Sequence, residues 1–152
     1  MKKFLLICVA LLTFTTTAFA YKIGDIIVVG GEMGIVYAVT TDGQHGKVVS
    51  VTNSGHGNWD RANQWCAQYG KGWRMPSSSE LNVIYKKREI LNPILEENGF
   101  RPFVNYCWSS TENDDPNLIW VSDMKNGGGY SHSKRDCQHG TYFILAYAIA
   151  SF

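Results

Sequence analysis

Proline is scarce in this chain, 4 in 152 residues, and its 15 glycines follow no Gly-X-Y period, which excludes a collagen-like or proline-rich extended protein. An excess of positive charge is also missing. Lys and Arg number 14 against 13 Asp and Glu, and taking away Lys2 and Lys3 leaves 12 against 13, so there is no basic field to draw nucleic acid or anionic lipid. The apolar run near the start, Phe4 to Phe14, falls well short of the roughly 20 residues that span a bilayer. No internal repeat, charge block or low-complexity linker interrupts the chain. Neither an H-x-x-x-H helix nor a C-x-x-C knuckle is present, so zinc lacks its usual ligand spacing.

What is present is 45% hydrophobic and 18% charged residues, the balance of a globular protein. Lys2 and Lys3, the short apolar run and the small-x-small ending Ala18-Phe19-Ala20 fit an export signal over residues 1–20, with cleavage before Tyr21. Cys8 follows Ile7 in the middle of the run, which does not suit a lipoprotein. The expectation is a secreted, periplasmic or cell-surface protein with no membrane span in its mature chain. Residues 21–152 form a single domain large enough to bury roughly 70% of the surface its unfolded chain exposes.

That mature chain keeps Cys66, Cys107 and Cys137. An oxidising compartment allows one disulfide and leaves one thiol over. Loop closure stabilises the three pairings by ~4.4 kcal/mol (66 with 137), ~3.9 (66 with 107) and ~3.7 (107 with 137), too close to select one. Three buried thiols with no bridge is the competing reading.

β-Branched residues at Ile26–Val29, Gly34–Val39 and Lys47–Val51, with the turn signal Asp42-Gly43 between the last two, predict a strand followed by a hairpin. Trp59, Ala62, Trp65, Cys66 and Tyr69 recur at helical spacing. Ser77 and Glu80 form a capping box at the head of a second stripe, Leu81, Ile84, Tyr85, Leu91 and Leu95. Pro93 predicts a break there, with Asn92 capping a short third helix that ends at Gly99. Tyr106–Ser110 and Leu118–Met124 read as strands, with polar loops between and after them. The uncharged run Thr141–Ser151 alternates bulky and small residues and predicts one buried central strand packed against the helices; a helix is the competing reading. The order, strands then helices then strands, is α+β.

Two strings carry a resemblance. Trp59-Asp60-Arg61-Ala62-Asn63-Gln64-Trp65-Cys66 leads to Gly72-Trp73-Arg74-Met75-Pro76-Ser77-Ser78-Ser79-Glu80-Leu81, and later comes Cys107-Trp108-Ser109-Ser110-Thr111-Glu112. Together they resemble the GWRLP-T-x-x-E-L and YWSSTE signatures of DUF1566-type domains, also described as Fibrobacter succinogenes major-paralogue-like. Gly34–Tyr37 and Asp42–Lys47 are similar to the N-terminal hairpin of such exported proteins. The resemblance implies a C-type-lectin-like fold: a mostly antiparallel sheet, two or three helices and long loops in the C-terminal half. It also implies non-enzymatic recognition. The chain departs from the family's VRAVRAF ending, with Tyr147 and Ala150 where the arginines would stand, so any role of those arginines has no carrier.

Function is therefore expected on the loops, residues 112–117 and 126–139, through Asp114, Asp115, Asn117, Tyr130, His132, Lys134 and Arg135. These side chains offer donors, acceptors and an exposed ring to a glycan or protein partner at the cell surface. Trp59, Trp65, Trp73, Trp108 and Trp120 read mainly as core. Asp115-Pro116-Asn117 looks like the Glu-Pro-Asn calcium and sugar motif of C-type lectins, but its Trp-Asn-Asp partner is missing and the residue types suit an ordinary turn. His132, Cys137 and His139 lie close in sequence without zinc spacing. Neither a metal nor another cofactor is expected. An enzyme is the alternative: Cys107 or Cys137 activated by His139, on a scaffold like that of the formylglycine-generating enzymes.

Overall fold

The computed structural model describes residues 19–140 and 142–152. Apart from Phe19 and Ala20, the expected export signal lies outside them. Among the described residues no helix is long and apolar enough to cross a membrane.

The elements run β1 (Ile26–Val29), β2 (Glu32–Val39), β3 (Gly46–Ser50), α1 (Trp59–Gln68), α2 (Ser78–Glu97), β4 (Tyr106–Glu112), β5 (Leu118–Asp123), β6 (Gly129–Ser133), β7 (Gln138–His139), β8 (Tyr142–Leu145) and β9 (Ile149–Ser151). They form an α+β fold with a four-stranded sheet, β1-β2-β3-β9, and a five-stranded sheet, β6-β5-β4-β8-β7. Every pairing is antiparallel except β4 with β8.

The inner strands are apolar on both faces because each face meets a different helix. Ile35 pairs with Val49 on the α2 side, where Leu81, Ile84, Leu91 and Leu95 pack; Val36 pairs with Val48 on the α1 side, with Ala62 and Cys66. In the C-terminal run, Tyr147 and Ile149 join the first cluster, whereas Ile144, Ala146, Ala148 and Ala150 join the second. The alternation of large and small residues therefore sorts side chains between two cores.

That run is not one strand, contrary to expectation. β8 lies beside β4 in one sheet, and β9 lies beside β3 in the other. Between them the backbone is satisfied by two serines rather than by a strand neighbour. Ala146 N–H donates to Ser54 Oγ and Ala148 N–H to Ser50 Oγ, both at 2.9 Å. The amides of Ser54 and Ser50 return bonds to the carbonyls of Ala146 and Ala148. Each serine thus closes a two-bond ring with the crossing segment, which satisfies the peptide groups of Ala146 and Ala148.

Helix α2 supplies the second correction. It runs unbroken through Pro93, so the short third helix does not form. Asn92 is not a cap: its Oδ1 accepts the Phe103 N–H at 2.9 Å. A proline inside a helix costs about 3 kcal/mol, but full burial of a leucine contributes ~1.5–3 kcal/mol, and Leu91 and Leu95 flank Pro93 in the core. The packing outweighs the lost backbone bond. A third correction concerns residues 126–139, which are not one long loop, since β6 pairs along β5 from Ser122↔Gly129 to Leu118↔Ser133 and β7 follows.

Candidate functional site

The residues of the two motif strings are mostly fastened to the scaffold. Three indoles donate to backbone carbonyls: Trp59 to Ser109 at 2.8 Å, Trp73 to Val29 at 2.7 Å and Trp108 to Gly57 at 3.1 Å. Glu80 accepts Lys47 Nζ at 2.8 Å, Arg74 through both guanidinium nitrogens, and the Ser77 amide at 2.9 Å. Burial acts against its charged form, but Arg74, Lys47 and the Ser77 N–H outweigh it and hold the carboxyl well below the usual carboxylate range. Arg74 also exchanges two backbone bonds with Ile149. The motif is a clasp joining α2, β3 and β9.

Of the seven residues expected to bind a ligand, Asp114, Asp115, Asn117, Lys134 and Arg135 lie at one end of the β5–β6 pair, and Tyr130 and His132 lie within β6. Asp114, Asp115 and Asn117 are exposed in the β4–β5 turn, where Asp115 Oδ1 accepts both the Asn117 amide at 2.8 Å and its side-chain nitrogen at 3.1 Å. This carboxylate serves its own turn, as the residue types suggest. Among the described residues no group of three or more His, Cys, Asp or Glu is placed to hold a metal ion. Lys134 sits at the same end, its N–H on the Asn117 carbonyl at 2.9 Å and its ammonium 4.9 Å from the Trp59 ring centre. Arg135 beside it is exposed. Tyr130 and His132 depart from the expectation of exposed loop side chains. They lie within β6, half-buried, with Tyr130 edge-on to Tyr106 and His132 beside Trp108. Strand alternation turns them toward the α1-side core, which fixes these two rings in place.

The cysteines are free, so the structure contains no bridge among Cys66, Cys107 and Cys137. Burial pushes the Cys66 thiol up to about 12 and that of Cys107 higher still, with Cys66 and Asp123 adding to the effect on Cys107. A fully buried thiol shifted in this direction stays protonated at neutral pH, which counts against Cys107 in the enzyme alternative. Cys137 is half-buried, and His139 lies in β7. Tyr147 and Ala150, at the two positions of the absent arginines, are buried; the Tyr147 ring meets Phe103 edge-on at 4.8 Å.

A cleft of about 280 Å³ opens on the other face of the five-stranded sheet, between the first turns of α2 and β5. Its walls carry Ser78, Ser79 and Asn82 from the helix and Trp120, Ser122 and Asp123 from the strand, with Tyr85 and Gly128 at one end. Trp120 faces this way because it alternates with Ile119 and Val121, which go to the α1-side core. Sequence reasoning counted Trp120 as core for its size and read Tyr85 as part of the buried helical stripe. Both are half-buried and line the opening.

The glycine triplet explains how these rings are held. A Cβ at Gly127 would come within 2.8 Å of the Tyr85 ring, and one at Gly129 within 2.7 Å of Trp120 Nε1. Only residues without side chains let the β5–β6 turn approach both rings so closely. Gly127-Gly128-Gly129 was the available sequence signal, and it marks close packing rather than a loose tip. Asp123 completes the turn, its Oδ1 accepting the amides of Lys125 and Asn126 at 2.9 and 3.0 Å.

What the fold and cleft define is an α+β scaffold with a small aromatic and polar recess beside its second helix. No known protein family and no curated protein matches the chain.

Proposed function

We propose that the chain is an exported recognition module of C-type-lectin-like type, related to DUF1566-type domains, that binds a cell-surface glycan or protein partner through its C-terminal half without turnover. The observation that carries this reading is the cleft beside β5: preformed, walled by two aromatic rings and several hydroxyl and amide groups, and set on regular elements rather than on loops. Convergent polar groups around an aromatic wall are what ligand sites generally provide. The exposed charges of the β4–β5 turn and of Arg135, with the half-buried Lys134, flank the same sheet and extend the surface open to a partner.

Screening the chain from Tyr21 on a glycan array and by pull-down against cell-surface extracts tests the reading. Saturable binding with the ligand recovered unchanged supports it. Product formation that disappears in Cys137→Ser would replace it with the enzyme.

A further inference from the structure

We infer that the cleft between Tyr85 and Trp120 holds one neutral sugar ring of a glycan, a proposal that rests on the recognition-module reading and names its ligand class. Size is the first argument. At about 280 Å³ the cleft lies just under the ~300–1,000 Å³ typical of small-molecule sites, which suits a ring-sized group rather than an extended peptide.

The second argument is the pairing of surfaces. A pyranose presents an apolar C–H face and a rim of hydroxyls that both donate and accept. The half-buried indole of Trp120 and the ring of Tyr85 provide the apolar surface. Ser79 and Asn82, exposed on the first α2 turns, and the half-buried Ser78 supply groups that also donate and accept, with Ser78 Oγ taking one bond from Thr111 and Ser79 Oγ sharing one with Ser77. Gly127 and Gly129 fix the two rings before a ligand arrives, so little ordering is left to binding.

Charge gives the third argument. Asp123 is the one charged side chain among the lining residues. Burial opposes its ionisation, but the amides of Asn126 and Lys125 and the Asn126 side chain prevail and hold it below the usual carboxylate range. It therefore stays anionic at neutral pH; no lining residue is a cation, and Lys125, outside the lining, attracts it. The Arg88 guanidinium lies 3.9 Å over the Tyr85 ring and is bound to the Tyr85 carbonyl. Uronates, sialic acid and phosphorylated sugars meet a like charge in the lining, whereas a neutral hydroxyl finds an acceptor.

The test is calorimetric titration of the chain from Tyr21 with neutral tetrasaccharides of glucose, galactose, mannose and N-acetylglucosamine, beside uronate-containing and sialylated counterparts. At least one neutral compound should bind saturably and the acidic ones should not. Trp120→Ala should weaken that binding about tenfold or more, as loss of an aromatic anchor does. Asn82→Asp keeps the size of an exposed side chain and adds a second carboxylate, so it should weaken binding with the melting temperature unchanged even if Trp120→Ala proves unstable. Absence of binding by every neutral sugar at about 10 mM, equal binding of acidic ones, or indifference to both variants overturns the inference. Capture of a protein partner through Lys134 and Arg135 alongside that absence would sink the sugar site and leave the recognition module standing. A sugar converted to product would sink the module.

Discussion

Arg74 and Glu80, six residues apart, grip each other through two contacts, Nη1 to Oε2 at 2.9 Å and Nη2 to Oε1 at 2.7 Å, across the cap of α2. The carboxylate is 13% exposed, but Arg74 and Lys47 are 54% and 42% exposed, so solvent screens much of the attraction. The role of the pair is positional: it ties the helix start to β3 and, through the Arg74 backbone, to β9.

Acid stability should report on this clasp. The unfolded chain's Glu80 titrates near ~4.3, whereas the folded carboxyl titrates far below, so between those values the unfolded state binds more protons and stability rises with pH. The contribution is complete above about pH 5 and is lost as pH falls toward the folded value. Urea unfolding at two pH values, near neutral and acidic, should show wild type losing ~1 kcal/mol or more beyond the loss in Glu80→Gln. Parallel losses would deny the clasp its role.

Ser50 is a polar residue built into the core, at 0% exposure. Its hydroxyl donates to the Thr52 carbonyl at 2.7 Å and accepts the Ala148 amide. Ser50→Ala leaves both groups without that partner and should cost about 2 kcal/mol, seen as a lower denaturant midpoint at an unchanged slope. A variant as stable as wild type would mean the crossing between sheets is held by other means.

Asn92 and Pro93 make opposite predictions. Asn92→Ala removes the acceptor of the buried Phe103 amide and should destabilise by about 1–2 kcal/mol. Pro93→Ala restores a helix donor and should stabilise by ~1 kcal/mol, part of the gain being cancelled because the unfolded chain becomes freer. Thermal unfolding of both variants checks the pair. A loss of stability in Pro93→Ala would show that the proline's restriction of the unfolded chain outweighs the restored donor.

Local chemistry made most of the fold legible. Asp42-Gly43, the Ser77–Glu80 box and the stripes of both helices each act within a few residues, and each formed where it was read. The failures arose where distant partners decide. Asn92 satisfies Phe103, and the two serines accept the C-terminal run, contacts that no local window contains. The candidate site was less legible, because a period of two cannot say which face of a strand is covered. Tyr130 was expected to be exposed and Trp120 buried, whereas β6 turns Tyr130 inward and β5 leaves Trp120 at the opening.

Thiol titration tests the burial of the cysteines. For the chain from Tyr21, an aromatic disulfide reagent should label Cys137 alone in the native state and all three cysteines in denaturant, since Cys66 and Cys107 are buried and their thiols shifted upward. Two or more fast native equivalents would contradict the core placement. No free thiol in denaturant beyond one would reveal a bridge.

The indole N–H signals of the chain from Tyr21 offer the most direct measurement of the cleft. Trp59, Trp73 and Trp108 donate to backbone carbonyls inside the scaffold, whereas Trp120 lines the cleft. Two-dimensional nitrogen–proton spectra recorded through a titration with the binding neutral tetrasaccharide should move the Trp120 indole peak progressively to saturation and leave those three in place. A ligand that binds without moving Trp120, or that moves Trp59 beside Lys134 instead, would contradict the assignment of recognition to this cleft.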